Sequence, residues 1–137
     1  MRAESTRHRL TATAVALAVL GAGSGAGAQL AKPNYLPFTE FTARDTQAQI
    51  DLKKAYNDAV ERYNQVLYDY YAALEQHDRL VDTYNASTDP AERQRARDDA
   101  VPLRAKLNGL RRDAASLFTA VDQAARRAVA GGATVRP

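Results

Sequence analysis

The sequence predicts an all-α protein: two long antiparallel helices forming a coiled-coil hairpin, with a homodimeric four-helix bundle as its expected assembly. Three observations lead there. Residues 45–84 contain neither Pro nor Gly, apolar residues recur in both halves at steps of four and three, and a strong turn signal separates the halves. A period of 3.5 residues sustained on two arms keeps one seam facing a partner helix and supercoils the pair left-handedly.

Residues 1–28 have the layout of a secretory signal peptide. Arg2, Arg7 and Arg9 precede an apolar run over residues 10–20, and the small residues that follow end on Ala26-Gly27-Ala28, which puts the mature start at Gln29. A membrane-spanning helix needs roughly 20 strongly apolar residues, about twice this run, so the segment reads as a removed signal rather than an anchor. The expectation is export, to a periplasm or beyond the cell. No cysteine occurs anywhere in the 137 residues. Packing alone must therefore hold a chain whose destination would have permitted disulfides.

Residues 29–44 form a Pro/aromatic segment. Pro33 and Pro37 keep it out of regular helix and favour an extended path through Tyr35, Leu36 and Phe38. Thr39, Thr42 and Thr46 then compete as the first N-cap, Thr42 with Asp45 three residues on and Thr46 with Gln49. The helix expected over 45–84 would be a rod of roughly 60 Å. The turn is expected at 85–89. There Asp89 is a good N-cap, Pro90 suits the first helical position, and Glu92 sits where its carboxylate can reach back to the cap. A second helix over 90–130 follows, continuous but kinked near Pro102, which deletes one backbone bond. A hinge at Pro102 is the alternative. Gly131-Gly132 ends it, and 131–137 reads as a flexible tail.

Both arms carry an unbroken heptad. The first runs through Leu52, Tyr56, Ala59, Tyr63, Val66, Tyr70, Ala73, His77, Leu80 and Tyr84. The second runs through Ala96, Ala100, Leu103, Leu107, Leu110, Ala114, Leu117, Val121, Ala124 and Ala128. Tyr56, Tyr63, Tyr70, His77, Leu103, Leu107, Leu110 and Leu117 are the expected core. Folding about residues 87–89 would set Tyr63 near Ala114, Ala59 near Leu117 and Ala73 near Leu103, large against small. The first arm holds eight acidic and four basic residues over 45–84, the second five acidic and nine basic over 90–130. Opposite charges favour pairing of the two arms over self-pairing of either. Within the arms, Asp58–Arg62, Glu75–Arg79 and Asp122–Arg126 have the favourable acid-first order.

Composition narrows the function classes. The formal net charge of +3 shrinks once residues 1–28 are removed, since they hold three of the 19 basic and one of the 16 acidic side chains. Nucleic acid is therefore not an expected partner. The segment over 29–137 keeps one histidine, His77, and Asp78 beside it in sequence falls on a different helical face. With no second His and no Cys, a zinc site lacks its three or four ligands. Nucleophilic triads and phosphate-cradling glycine loops have equally little to build on. No catalytic residue, cofactor or metal is expected. The clusters Arg93-x-Arg95-x-Arg97 and Arg111-Arg112 answer the acidic first arm; peripheral contact with anionic headgroups is their other reading. Asn85-Ala86-Ser87 matches a glycosylation triplet, a pattern common by chance.

A second stripe is the most informative feature. Val60, Leu67, Leu74 and Val81 fall seven apart beside the first seam, with Tyr71 near them. One partner helix covers about one seam, so this ridge requires another cover. The Pro/aromatic segment folding back, a second copy, or another envelope protein would each serve, and the homodimer is favoured because the segment is short. The expected function is a non-catalytic binding or scaffolding protein of the cell envelope, chaperone-like in using its coiled-coil surface. The alternative is a carrier of a small apolar ligand in a Tyr-lined seam between the helices.

Overall fold

A computed structural model describes residues 33–135. The proposed signal peptide, the start of the Pro/aromatic segment and the last two residues lie outside the described residues.

Two helices make up the regular structure: α1, Gln47–Ala86, and α2, Pro90–Ala130. They pack against each other along their length as an antiparallel hairpin, and each is about 60 Å long. Of the three competing threonines, Thr46 caps α1. Its hydroxyl accepts from the Gln49 N–H, and the Gln49 side chain accepts from the Thr46 N–H, a complete capping box. Thr42 serves a turn just before it: the Asp45 N–H donates to the Thr42 carbonyl, and the Asp45 carboxylate accepts from the Thr42 N–H at 2.7 Å.

Helix α1 runs two residues past the expected end, to Ala86, leaving Ser87–Asp89 as the connection. Asp89 caps α2 by accepting from the Ala91 N–H. Glu92 does not reach the cap backbone as expected; it accepts from the Ser87 hydroxyl instead, which ties the two sides of the turn together. Helix α2 passes through Pro102 without interruption. Its end is closed by two backbone bonds, Gly132 N–H to Val129 O and Ala133 N–H to Ala128 O. That pattern needs a left-handed residue, and Gly132 supplies it at φ +78°.

Helix α1 keeps its expected 40 residues but lies two residues later in the sequence, Gln47–Ala86, and the register between the helices also differs from the expected one. Tyr63 meets Phe118, His77 faces Arg104, Tyr84 faces Arg97 and Gln49 reaches the Gly131 carbonyl. Opposed residues thus lie about one helical turn further along α2 than the expected pairing of Tyr63 with Ala114. The large-against-small rule gives way locally to an aromatic pair, its ring centroids 5.7 Å apart and tilted at 59°.

The hairpin is layered unevenly. At its open end a core of Tyr56, Val60, Tyr63, Leu67, Ala114 and Val121 is joined by Leu36 from the leading segment and Val135 from the tail. Toward the turn, Leu103, Leu107 and Leu110 are only half-buried. There two helices enclose small side chains such as Ala96 and Ala100 but not the larger leucines beside them, and among the described residues the third layer lies at the open end.

Charge pairing is looser than the arm totals suggest. Glu75–Arg79 and Asp122–Arg126 form as expected. Asp58–Arg62 is absent from the ion pairs among the described residues, and none of those pairs joins the two helices. The arms' opposite charge therefore acts as a field rather than through close pairs. Tyr84 takes the role of a contact instead, with the Arg93 and Arg97 guanidiniums over its ring at 4.4 and 5.3 Å.

Candidate functional site

The leading segment covers the second stripe beside Val60 and Leu67. Leu36 and Thr39 lie along α1 in antiparallel sense, held by two asparagines one heptad apart. Asn64 accepts from the Leu36 N–H at 2.8 Å and donates to the Leu36 carbonyl at 2.9 Å. Asn57 does the same for Thr39, at 2.8 and 3.0 Å. A carboxamide is the side chain that offers one acceptor and two donors side by side, so each asparagine satisfies both main-chain groups of one residue.

The spacing has a simple origin. Seven helical residues rise about 10.5 Å. Three residues of a proline-rich extended chain rise roughly 9.3 Å, so residues 36 and 39 reach successive rungs. The same three-residue repeat turns Tyr35, Phe38 and Phe41 outward, where they remain 47, 55 and 50 % exposed.

The lower end of this arm is pinned by Lys53, whose side chain is 1 % exposed. Its ammonium donates to the Glu40 carbonyl at 3.0 Å and to the Asp45 carboxylate at 2.7 Å. The Thr39 hydroxyl donates to the Thr134 carbonyl, so arm and tail meet. Ala133 is buried and Val135 packs on the core. Residues 131–135 are thus a docked closure and not the flexible tail that Gly-Gly suggested. Gly131 faces the Leu52 side chain, which would have to shift to admit a Cβ there.

The hydrogen-bonded Lys53 ammonium, helped by the Thr42 N–H, holds the Asp45 carboxyl below the usual carboxylate range. A lowered folded value means stability that is present above the unfolded value of about 4 and lost as pH falls through the folded value. We expect the arm to loosen below about pH 4, visible as a melting temperature that falls with acid. Asp45→Asn should flatten that dependence; an unchanged slope would remove Asp45 as its source.

The expected site residues separate in the structure. Val60, Leu67 and Leu74 are buried, Tyr71 is half-buried against the core, and Val81 stays exposed. Most of the stripe is therefore interior surface, because Leu36 and the asparagine-bound backbone lie over its lower part. Tyr56, Tyr63 and Tyr70 are buried as core, His77 is half-buried, and Leu117 packs on the cluster beside Phe118. His77 Nδ1 lies 3.6 Å from Asp78 Oδ1, a correction to their expected separation: short side chains on successive helical residues can bend toward each other across the step.

Burial pushes the Tyr63 phenol up to about 12, with Tyr71 adding to the shift. Its oxygen is buried without a hydrogen-bond partner. A buried hydroxyl left unpaired costs about 1–3 kcal/mol, so Tyr63→Phe should leave stability unchanged or raise it by about 1 kcal/mol. A clear loss in a thermal melt would show that the hydroxyl is satisfied in solution.

Asn57, Asn64 and Lys53, which hold the leading segment, are the residues that periodicity alone did not pick out. The signal was present: Lys53 stands one heptad before Val60, a charge in an apolar stripe, and the asparagines repeat beside it. Among the described residues no three His, Cys, Asp or Glu side chains gather as for a metal, and no helix is long and apolar enough to cross a membrane. Comparison with family models, curated proteins and solved structures finds no match for this chain.

Proposed function

We propose that this chain is an exported, non-catalytic binding or scaffolding protein of the cell envelope, and that it docks through the outward aromatic row of its arm. The observation that supports this reading is Tyr35, Phe38 and Phe41 standing about half exposed, on a segment held by four side-chain-to-backbone bonds. Large aromatics on a fixed backbone lose little conformational freedom on binding and offer much area. Export rests on the Arg-led apolar run and Ala26-Gly27-Ala28. The four-helix dimer loses its original motive, since Val60, Leu67 and Leu74 are buried within the chain.

The test is crosslinking in intact cells. The unmodified chain should trap an envelope partner, and Phe38→Ser with Phe41→Ser should lose it while helicity and melting stay within error. A partner retained by the double variant would sink the reading, as would its capture in the cytoplasm. The ligand-carrier alternative draws on the unpaired Tyr63 oxygen; it requires a co-purifying small molecule that Tyr63→Phe releases.

A further inference from the structure

We propose that the arginine column on the turn half of α2, Arg97, Arg104 and Arg111, is a docking site for an acidic helix of a partner protein, one that carries carboxylates seven residues apart. The column lies on α2 and the aromatic row on the arm along α1, so each proposal can fail without the other.

The column continues a packing row. Tyr63, Tyr70, His77 and Tyr84 of α1 oppose Phe118, Arg111, Arg104 and Arg97 of α2, both sets seven residues apart. The first rung is the aromatic pair of the roofed core. On the other three, arginine takes the place of phenylalanine and lies against a ring. Arg97 Nη2 donates to the Tyr84 hydroxyl oxygen at 2.8 Å, and the Arg93 guanidinium stacks over the same ring at 4.4 Å. Arg104 Nε donates to His77 Nε2 at 3.5 Å. Burial raises the Tyr70 phenol, and the Arg111 charge works against that rise.

These guanidiniums are held in place but not neutralised. All three side chains are exposed, and none belongs to an ion pair among the described residues. The sequence withholds a partner within the helix. Three and four positions to either side of each stand Ala, Val, Leu, Asn, Gln or Arg93, never Asp or Glu. Arg79 and Arg126, by contrast, have their acid four residues back and pair with it.

Charge and spacing identify what fits. Charged positions flanking a helical seam select the helix that packs there, and α1 answers these three with Tyr, His and Tyr. Successive rungs are about 10.5 Å apart, the rise of seven helical residues. A helix laid alongside repeats at the same distance, so carboxylates seven apart meet every rung. A nucleic acid or polyphosphate carries its charges far more closely, and most would go unanswered. A bilayer-binding face sets Trp, Phe or Leu beside its cations. Over this length the exposed large apolar residues are Val81 and Val101. The tip of the column also lies beyond the arm. Tyr84 stands about 30 Å past Asn64 along α1, where Leu36 is held, and residues 29–35 span at most about 25 Å when fully extended.

The probe is a fluorescein-labelled, alanine-based helical peptide with three Glu seven residues apart, titrated into the full chain after signal removal and followed by anisotropy. It should bind roughly tenfold more tightly than a peptide of the same composition with its Glu five apart. Arg97→Gln with Arg104→Gln should remove that preference. Should the pair unsettle the tip, Arg104→Glu alone should reduce it. A second readout sits at the site. The Arg97 hydrogen bond, with the charge of Arg93, holds the Tyr84 phenol below its ordinary value, and bound peptide should move its titration back up. Equal binding of the two peptides, a preference that survives the substitutions, or a Tyr84 titration unmoved at saturation overturns the proposal. Tighter association with phosphatidylglycerol vesicles or polyphosphate than with the seven-spaced peptide, lost in the same variants, overturns it as well, in favour of a membrane or a phosphate polymer.

Discussion

Tyr56→Ala should lower the stability of the hairpin by about 4 kcal/mol, and Leu103→Ala by no more than about 2 kcal/mol. Both residues belong to the heptad, so periodicity alone ranks them together. The layering does not. Tyr56 is 1 % exposed in the cluster that Leu36 and Val135 roof over, and removing its ring leaves a cavity that three layers cannot all collapse into. Leu103 is half-buried in the two-layer region, where water already touches part of what alanine would lose. For a folded unit of about 100 residues, 4 kcal/mol corresponds to a drop of roughly 20 °C in melting temperature. Thermal or urea unfolding of the two variants side by side is the check, and equal losses would contradict the uneven layering.

Pro102→Ala should act in the opposite direction. Pro102 is exposed in the interior of an uninterrupted helix. Proline there is about 3 kcal/mol less favourable than alanine, because it lacks an N–H and its ring crowds the carbonyl four residues back. The unfolded chain regains freedom when the ring is removed, which offsets up to about 1 kcal/mol. The net expectation is a gain of about 2 kcal/mol, or roughly 10 °C. Amide exchange over residues 98–106 should slow in step if that turn of α2 opens easily in the native chain. Unchanged stability with unchanged exchange would mean that the helix accommodates Pro102 without strain, and a hinge there would lose its basis.

How far the sequence reached can be argued from three places. The turn was legible almost to the residue: Asp89 bonds to neighbours two and four positions on and Pro90 acts through its own fixed φ, and such local effects depend little on the rest of the chain. The register was less so. The connection Ser87–Asp89 lies where the chain was expected to fold, yet Tyr63 meets Phe118 rather than Ala114, because how far the arms slide past each other is set by side-chain packing across the seam and not by where the turn sits. The candidate site was legible only as a need. Val60, Leu67 and Leu74 announced that something had to cover them, yet nothing in their spacing distinguishes a segment of the same chain from a second copy.

By itself, then, the sequence determined two capped helices, their antiparallel pairing and the faces they turn inward, since periodicity and capping are local properties. What only the tertiary structure decided is the third layer. Whether Leu36 and Thr39 return to α1 depends on main-chain groups 18 and 28 residues from the asparagines that pair with them. That match arises when a three-residue extended repeat happens to meet a seven-residue helical one. The same match turns Tyr35, Phe38 and Phe41 outward, so the surface proposed for docking was set by how the apolar stripe found its cover.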